Sequence, residues 1–117
     1  MTITNALASI AVRDLESATQ WYEKFLGAGN QPMPEVMEWQ FVGGGGLQVY
    51  QGPERAGSCS ATLIVKDIDE IAQELQSSGV APDASPARDP RVDTIMIKDP
   101  DGNSIAFSQP KDDSLAR

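Results

Sequence analysis

Apolar and small or polar residues alternate over Leu7–Val12 and again over Ser60–Val65, and each alternation gives way to a helical period. The run Ile10-Ala11-Val12-Arg13-Asp14-Leu15-Glu16 reappears as Leu63-Ile64-Val65-Lys66-Asp67-Ile68-Asp69, so the chain reads as two copies of one unit. In the first copy Leu15, Ala18, Tyr22, Phe25 and Leu26 recur at helical spacing, and Ile68, Ile71, Ala72 and Leu75 do so in the second. Asp14 stands where a helix N-cap belongs and Gly27 where a terminating residue takes positive φ. Asp67 with Glu70 forms a capping-box variant, and Gly79 closes the second helix.

Short strand-like runs follow each helix. Pro32 and Pro34 shorten or displace any strand in 29–34, because proline cannot donate to a ladder. Val36–Val42 and Leu47–Gln51 read as a hairpin about Gly43–Gly46. In the second copy 81–90, with Pro82, Pro86 and Pro90, reads as a loop leading into Arg91–Lys98. The turn Asp99-Pro100-Asp101-Gly102-Asn103 and the run Ser104–Gln109 complete it, proline setting φ and glycine accepting the left-handed region. Each half is therefore β-α-(β)-β-β, giving an α+β domain with module one about 4–57, module two about 58–110 and a frayed tail at 111–117.

Period two assigns the strand faces. Ala8, Ile10 and Val12, Leu47 and Val49, Ala61, Leu63 and Val65, Ile95 and Ile97, and Ile105 and Phe107 face the helices. The opposite face carries Leu7, Ser9 and Ala11, then Gln48 and Tyr50, then Ser60, Thr62 and Ile64. Thr94 and Met96, with Ser104, Ala106 and Ser108, continue it. That mixture of small, polar and apolar groups fits neither a dry core nor a charged surface, and implies a partly wet cleft.

Composition narrows the chemistry. The 117 residues suit one domain, and no apolar run approaches the ~18 residues of a membrane span. No basic segment leads into an apolar one at the start, so no secretory signal is expected. Nine Lys and Arg against 17 Asp and Glu leave a charge of −8, which opposes nucleic-acid binding. The single cysteine, Cys59, excludes an internal disulfide and fits a cytoplasmic protein. The chain has no histidine, which removes histidine-dependent triads, facial-triad iron and histidine-based zinc sites.

The run I-x-V-R-D-L-E-S-A-x-x-W-Y-E-K-F-L-G, together with D-P-D-G-N-S-I-x-F in the second half, resembles the vicinal oxygen chelate superfamily, which holds glyoxalases, extradiol dioxygenases and bleomycin-resistance proteins. The resemblance covers about Thr4 to Gln109. It implies two βαβββ modules forming a curled mixed sheet around a cleft, helices on the outer face, usually in a homodimer. The enzymatic members hold a divalent metal at four strand positions, and by motif these fall at Leu7, Gln48, Ser60 and Ala106. Two hydrocarbons, an amide and a hydroxyl supply no carboxylate to offset a hard cation's dehydration. The expectation is no metal and no cofactor, with Glu38 on a neighbouring strand as the nearest carboxylate. The implied function is binding of a partly apolar small molecule, closest to the bleomycin-resistance branch, with no nucleic acid or membrane partner.

The expected cleft is lined by Leu7, Ser9, Glu38, Gln40, Gln48 and Tyr50 from module one. Module two contributes Ser60, Thr62, Thr94, Met96, Ser104 and Ala106. The alternative is a glyoxalase-like lyase, isomerase or dioxygenase that uses Glu38 as general base and Tyr50 as acid, or a non-standard metal site. Trp39 is expected in the core with Met37 and Phe41, and a one-residue register shift would instead turn it into the cleft. Cys59, with no histidine as base, reads as a small hydrophobe. The loop from Asp99 lacks the glycine and glutamate spacing of a calcium site, and Gly43–Gly46 lacks the helix that a phosphate loop opens. Arg88 and Arg91, with Asp89 and Asp93, are expected as solvated pairs at the cleft rim.

Overall fold

The computed structural model describes residues 1–111, so all of the expected tail but Lys111 lies outside the described residues. Strand β1 (Leu7–Val12) leads into helix α1 (Leu15–Leu26), followed by β2 (Asn30–Met33), β3 (Val36–Gln40) and β4 (Gly46–Gln51). Module two consists of β5 (Ser60–Ile64), α2 (Ile68–Ser77), β6 (Val92–Lys98) and β7 (Ser104–Pro110). The first sheet has the order β1-β4-β3-β2 and the second β5-β7-β6, the first strand of each module pairing in parallel with its last.

The helix boundaries follow the capping chemistry. The Asp14 carboxylate accepts from the Ser17 N–H, and the Asp67 carboxylate accepts from the N–H groups of Asp69 and Glu70. Gly27 (φ 77°) and Gly79 (φ 79°) take the left-handed backbone at or just past the helix ends. Leu15, Ala18 and Tyr22 of α1 are buried against the first sheet, and Ile68, Ala72 and Leu75 of α2 against the second.

Module two lacks one of the four strands that the family resemblance implies, in keeping with the loop reading of 81–90. Its fourth strand is reduced to one bridge, Ala87 opposite Thr94, because Pro82, Pro86 and Pro90 cannot sustain a ladder through 81–90. In module one β2 survives Pro32 as an exposed edge strand. Trp39 is buried in the core beside Met37, with its indole N–H donating to the Gly27 carbonyl at 2.9 Å. Phe41 is not in that core: β3 ends at Gln40, and Phe41 lies exposed in the turn.

The modules of one chain are joined side by side by a buried polar clasp. Asn103, fully buried, donates through Nδ2 to the Ala11 carbonyl of β1 (2.9 Å) and to Asp99 Oδ2 (2.8 Å). Its Oδ1 accepts from the N–H groups of Gly57 (2.9 Å) and Cys59 (3.0 Å). Tyr22 of α1 donates its hydroxyl to Asp99 Oδ2 at 2.8 Å, and Arg13 pairs with Asp101 at 2.8 Å. Burial, and after it the Asp99 carboxylate, push the Tyr22 phenol far above its ordinary range, so it stays a hydrogen-bond donor. The Ala11 N–H donates to Cys59 Sγ (3.4 Å), so side chains of module two satisfy both outward backbone groups of that residue. Phe25 of α1 packs edge-on against Phe107 of β7, at 5.7 Å between ring centroids.

Candidate functional site

Because α1 lies on β3 and β4 and reaches β7, while α2 lies on β6 and β7, the helices cover one side of both sheets. The uncovered faces look the same way and form one broad open face. The molecule measures 43 × 41 × 24 Å, and its thin dimension fits one helix layer on one sheet layer. A single chain therefore presents its strands' second face to the outside, and the two sheets do not close on each other.

Strand register arranges the twelve expected cleft residues into two groups of six. On the first sheet Ser9, Gln48 and Glu38 stand side by side on β1, β4 and β3, with Asn30 of β2 opposite Glu38. At a strand spacing of about 4.8 Å, the band from Ser9 to Glu38 spans about 10 Å. Ala11, Tyr50 and Val36 make the next row on one side, where Ala11 and Val36 are buried and only Tyr50 is half-exposed, and Leu7, Gly46 and Gln40 make the next on the other. On the second sheet Ser60, Ser104 and Lys98 form one row, and Thr62, Ala106 and Met96 the next. Ile64, Ser108 and Thr94 form a third. Three large apolar side chains lie open to water on this face: Leu7 (39% exposed), Ile64 (49%) and Met96 (69%). Ile64 lies on this face as its period-two assignment expects, and Lys98, which that assignment did not name, lies there by the same period.

The four family metal positions divide between the sheets, Leu7 and Gln48 on the first and Ser60 and Ala106 on the second. Their donor set does not suit a divalent cation. Among the described residues no three acidic or cysteine side chains group where an ion could be held. Glu38 and Tyr50 are diagonal neighbours across β3 and β4, since Tyr50 faces Val36 and Glu38 faces Gln48. Glu38 Oε1 accepts from Gln40 Nε2 at 3.2 Å.

Two other expectations resolve away from this face. Cys59 is partly buried at the module junction, packed against the core. Asp93 points to the helix side of β6 and is buried, paired with Arg88 (2.9 Å) and Lys111 (3.2 Å). Arg88 also reaches Asp69 beside the start of α2, so these charges clamp α2 to β6 rather than edge a cleft. The Arg88 guanidinium holds the Asp93 carboxyl below the usual carboxylate range. A depression of about 490 Å³ lies elsewhere, between the first turn of α1 and the β2–β3 hairpin. There the Leu15 N–H donates to Gln51 and the Ser17 N–H to Asp14, so the helix start has spent these donors on its own side chains.

Two open sheet faces backed by one helix layer, built from a repeated β-α-β unit, define a glyoxalase-type protein. The chain belongs to the Glyoxalase/Bleomycin resistance protein/Dioxygenase superfamily, whose model matches residues 4–107. A glyoxalase/bleomycin resistance protein from Catenulispora acidiphila is 32% identical, with a TM-score of 0.76 over 92% of this chain and 98% of that one. TnmS3, an antibiotic binding protein from Streptomyces sp. CB03234, is 26% identical, with a TM-score of 0.72 over 95% and 99%. A virulence protein of Salmonella typhimurium, at 22% identity and a TM-score of 0.67, shares the fold over 94% and 98%. No curated protein sequence is significantly similar to the chain. No helix among the described residues is long and apolar enough to cross a membrane.

Proposed function

We propose that this protein binds a partly apolar small molecule on its open face, without a metal, as a homodimer in the cytoplasm. One observation carries the reading: a polar band of Ser9, Gln48 and Glu38 is set beside exposed apolar groups on a face that one chain leaves uncovered. Exposed apolar area of this kind favours a covering partner or ligand. The family's small-molecule chemistry and the antibiotic-binding neighbour support a ligand there. The absence of carboxylates from the four metal positions favours binding over metal-assisted turnover. A single partly buried cysteine fits a reducing compartment.

Thermal denaturation of chelator-stripped protein tests the reading. Aromatic and glycopeptide antibiotics, catechols and glutathione thioesters form one arm, and Mn²⁺, Ni²⁺, Zn²⁺ and Fe²⁺ the other. A ligand at a hundredfold excess over Kd adds about 2.7 kcal/mol and raises the midpoint. Stabilisation by organic compounds alone supports the proposal, whereas stabilisation by one metal at low micromolar concentration overturns it. Self-association is read by sedimentation equilibrium. Placing a charge in the open face with Met96→Glu is expected to weaken it at least about tenfold, since a buried unpaired charge costs well over the 1.4 kcal/mol of one decade.

A further inference from the structure

We infer that Glu38 is the anchor for an organic cation, so that the bound molecule joins a protonated nitrogen to a flat apolar body. The inference rests on the open face being the binding surface and adds the ligand's charge class to it. Only three residues within the seven strands are charged: Glu38, Asp93 and Lys98. Asp93 points to the helix side and has Arg88 and Lys111 as partners. Lys98 is exposed at the end of β6 on the second sheet, next to the clasp turn. Glu38 differs from both. It is half-buried at the middle of β3, an inner strand, where glutamate is a poor strand former.

No cation among the described residues lies within 4 Å of the Glu38 carboxylate. Its one side-chain hydrogen bond, from Gln40, leaves most of a carboxylate's four lone-pair sites unused. Gln48 and Ser9 extend the polar row, Tyr50 and Val36 flank it on one side, and Leu7 flanks it on the other. Anything that covers this face takes water from the carboxylate, and an unpartnered ion in a covered site is costly. An ammonium, amidinium or guanidinium N–H replaces that water, while the body of the same molecule lies on Tyr50 to one side of the row or on Leu7 to the other. A neutral isostere gives a weaker hydrogen bond, and an anion meets repulsion.

Three probes of one shape test this: 1-naphthylmethylammonium, 1-naphthylmethanol and 1-naphthylacetate, titrated into wild-type protein and the Glu38→Gln variant at pH 7 by calorimetry. The wild type is expected to bind the ammonium about tenfold more tightly than the alcohol, and the acetate most weakly. Glu38→Gln is expected to erase the preference for the ammonium while leaving affinity for the alcohol and the unliganded melting midpoint in place. Equal affinity for ammonium and alcohol in the wild type overturns the inference and leaves small-molecule binding standing. A charge preference that survives Glu38→Gln overturns it too. So does a variant that dimerises more weakly with no change in ligand preference, since the carboxylate then serves the contact between copies. Failure of all three probes, and of every organic compound in the thermal panel, removes the binding reading itself.

Discussion

Asn103 makes four hydrogen bonds with one side-chain amide, and they reach β1, the segment before β5 and the turn it closes. Asn103→Ala leaves Ala11 O, Asp99 Oδ2 and the N–H groups of Gly57 and Cys59 short of partners in a site with little room for water. At about 1–3 kcal/mol per buried orphan, with part of the loss relaxed, urea unfolding should show about 3–5 kcal/mol less stability. Asn103→Asp is expected to do no better, because it sets a second carboxylate against Asp99 and removes the donor to Ala11. The turn motif was legible as a hairpin, but its second role was not. The bonds of Asn103 to module one and the linker span 44 to 92 positions, and nothing local marks them. Tyr22 carried the one hint, since a tyrosine on a buried stripe needs a partner for its hydroxyl.

Among the elements, the β3–β4 hairpin shows how one letter conceals different physics. Gly43–Gly46 reads in sequence as one flexible turn, yet the four glycines do separate things. Gly44 (φ 89°) and Gly45 (φ 71°) take the left-handed region that the turn requires. Gly46 instead lies in β4 where a Cβ would stand 2.5 Å from the Trp39 carbonyl and 2.7 Å from Leu7 Cδ2. A Cβ on Gly43 meets nothing within 4 Å. Gly46→Ala must push β3 or β1 aside and is expected to cost about 1–3 kcal/mol in thermal unfolding. Gly43→Ala should stay within about 0.5 kcal/mol. The helices, by contrast, were legible almost to their ends, because Asp14, Asp67, Gly27 and Gly79 act on their immediate neighbours. The prolines of 81–90 likewise announced a missing strand, since each removes a ladder donor without any help from tertiary context.

Taken as a whole, the molecule is a slab. The radius of gyration is 14.3 Å, against about 13.4 Å expected for a compact chain of this length, as befits a slab with one face uncovered. Period two identified that face and its residues, but whether the two sheets enclose a cleft depends on how the modules dock, and the clasp decides that through buried side chains. Charge is distributed to match: Asp93 ties α2 to β6 through Arg88. Since its folded pKa is held below the unfolded value of about 3.9, its contribution is present above that pH and fades as pH falls through the lower folded value. Asp93→Asn should therefore melt below the wild type at pH 7, and the gap should close as the medium is acidified below about pH 4. Midpoints measured from pH 2 to 7 check it, and a gap independent of pH would assign the loss to packing.

The clasp also imposes an order in time. Ala11 leaves the ribosome before the side chain that satisfies its carbonyl, which belongs to residue 103, 92 positions later. At translation rates of about 5–20 residues per second, that edge of β1 stays bare for roughly 5–18 s. From the completion of β4 at Gln51 until then, the nascent first module displays an unsealed strand edge, the surface on which one chain can template another. Messages slowed within the codons of module two should therefore yield more aggregate than those slowed within the codons of module one.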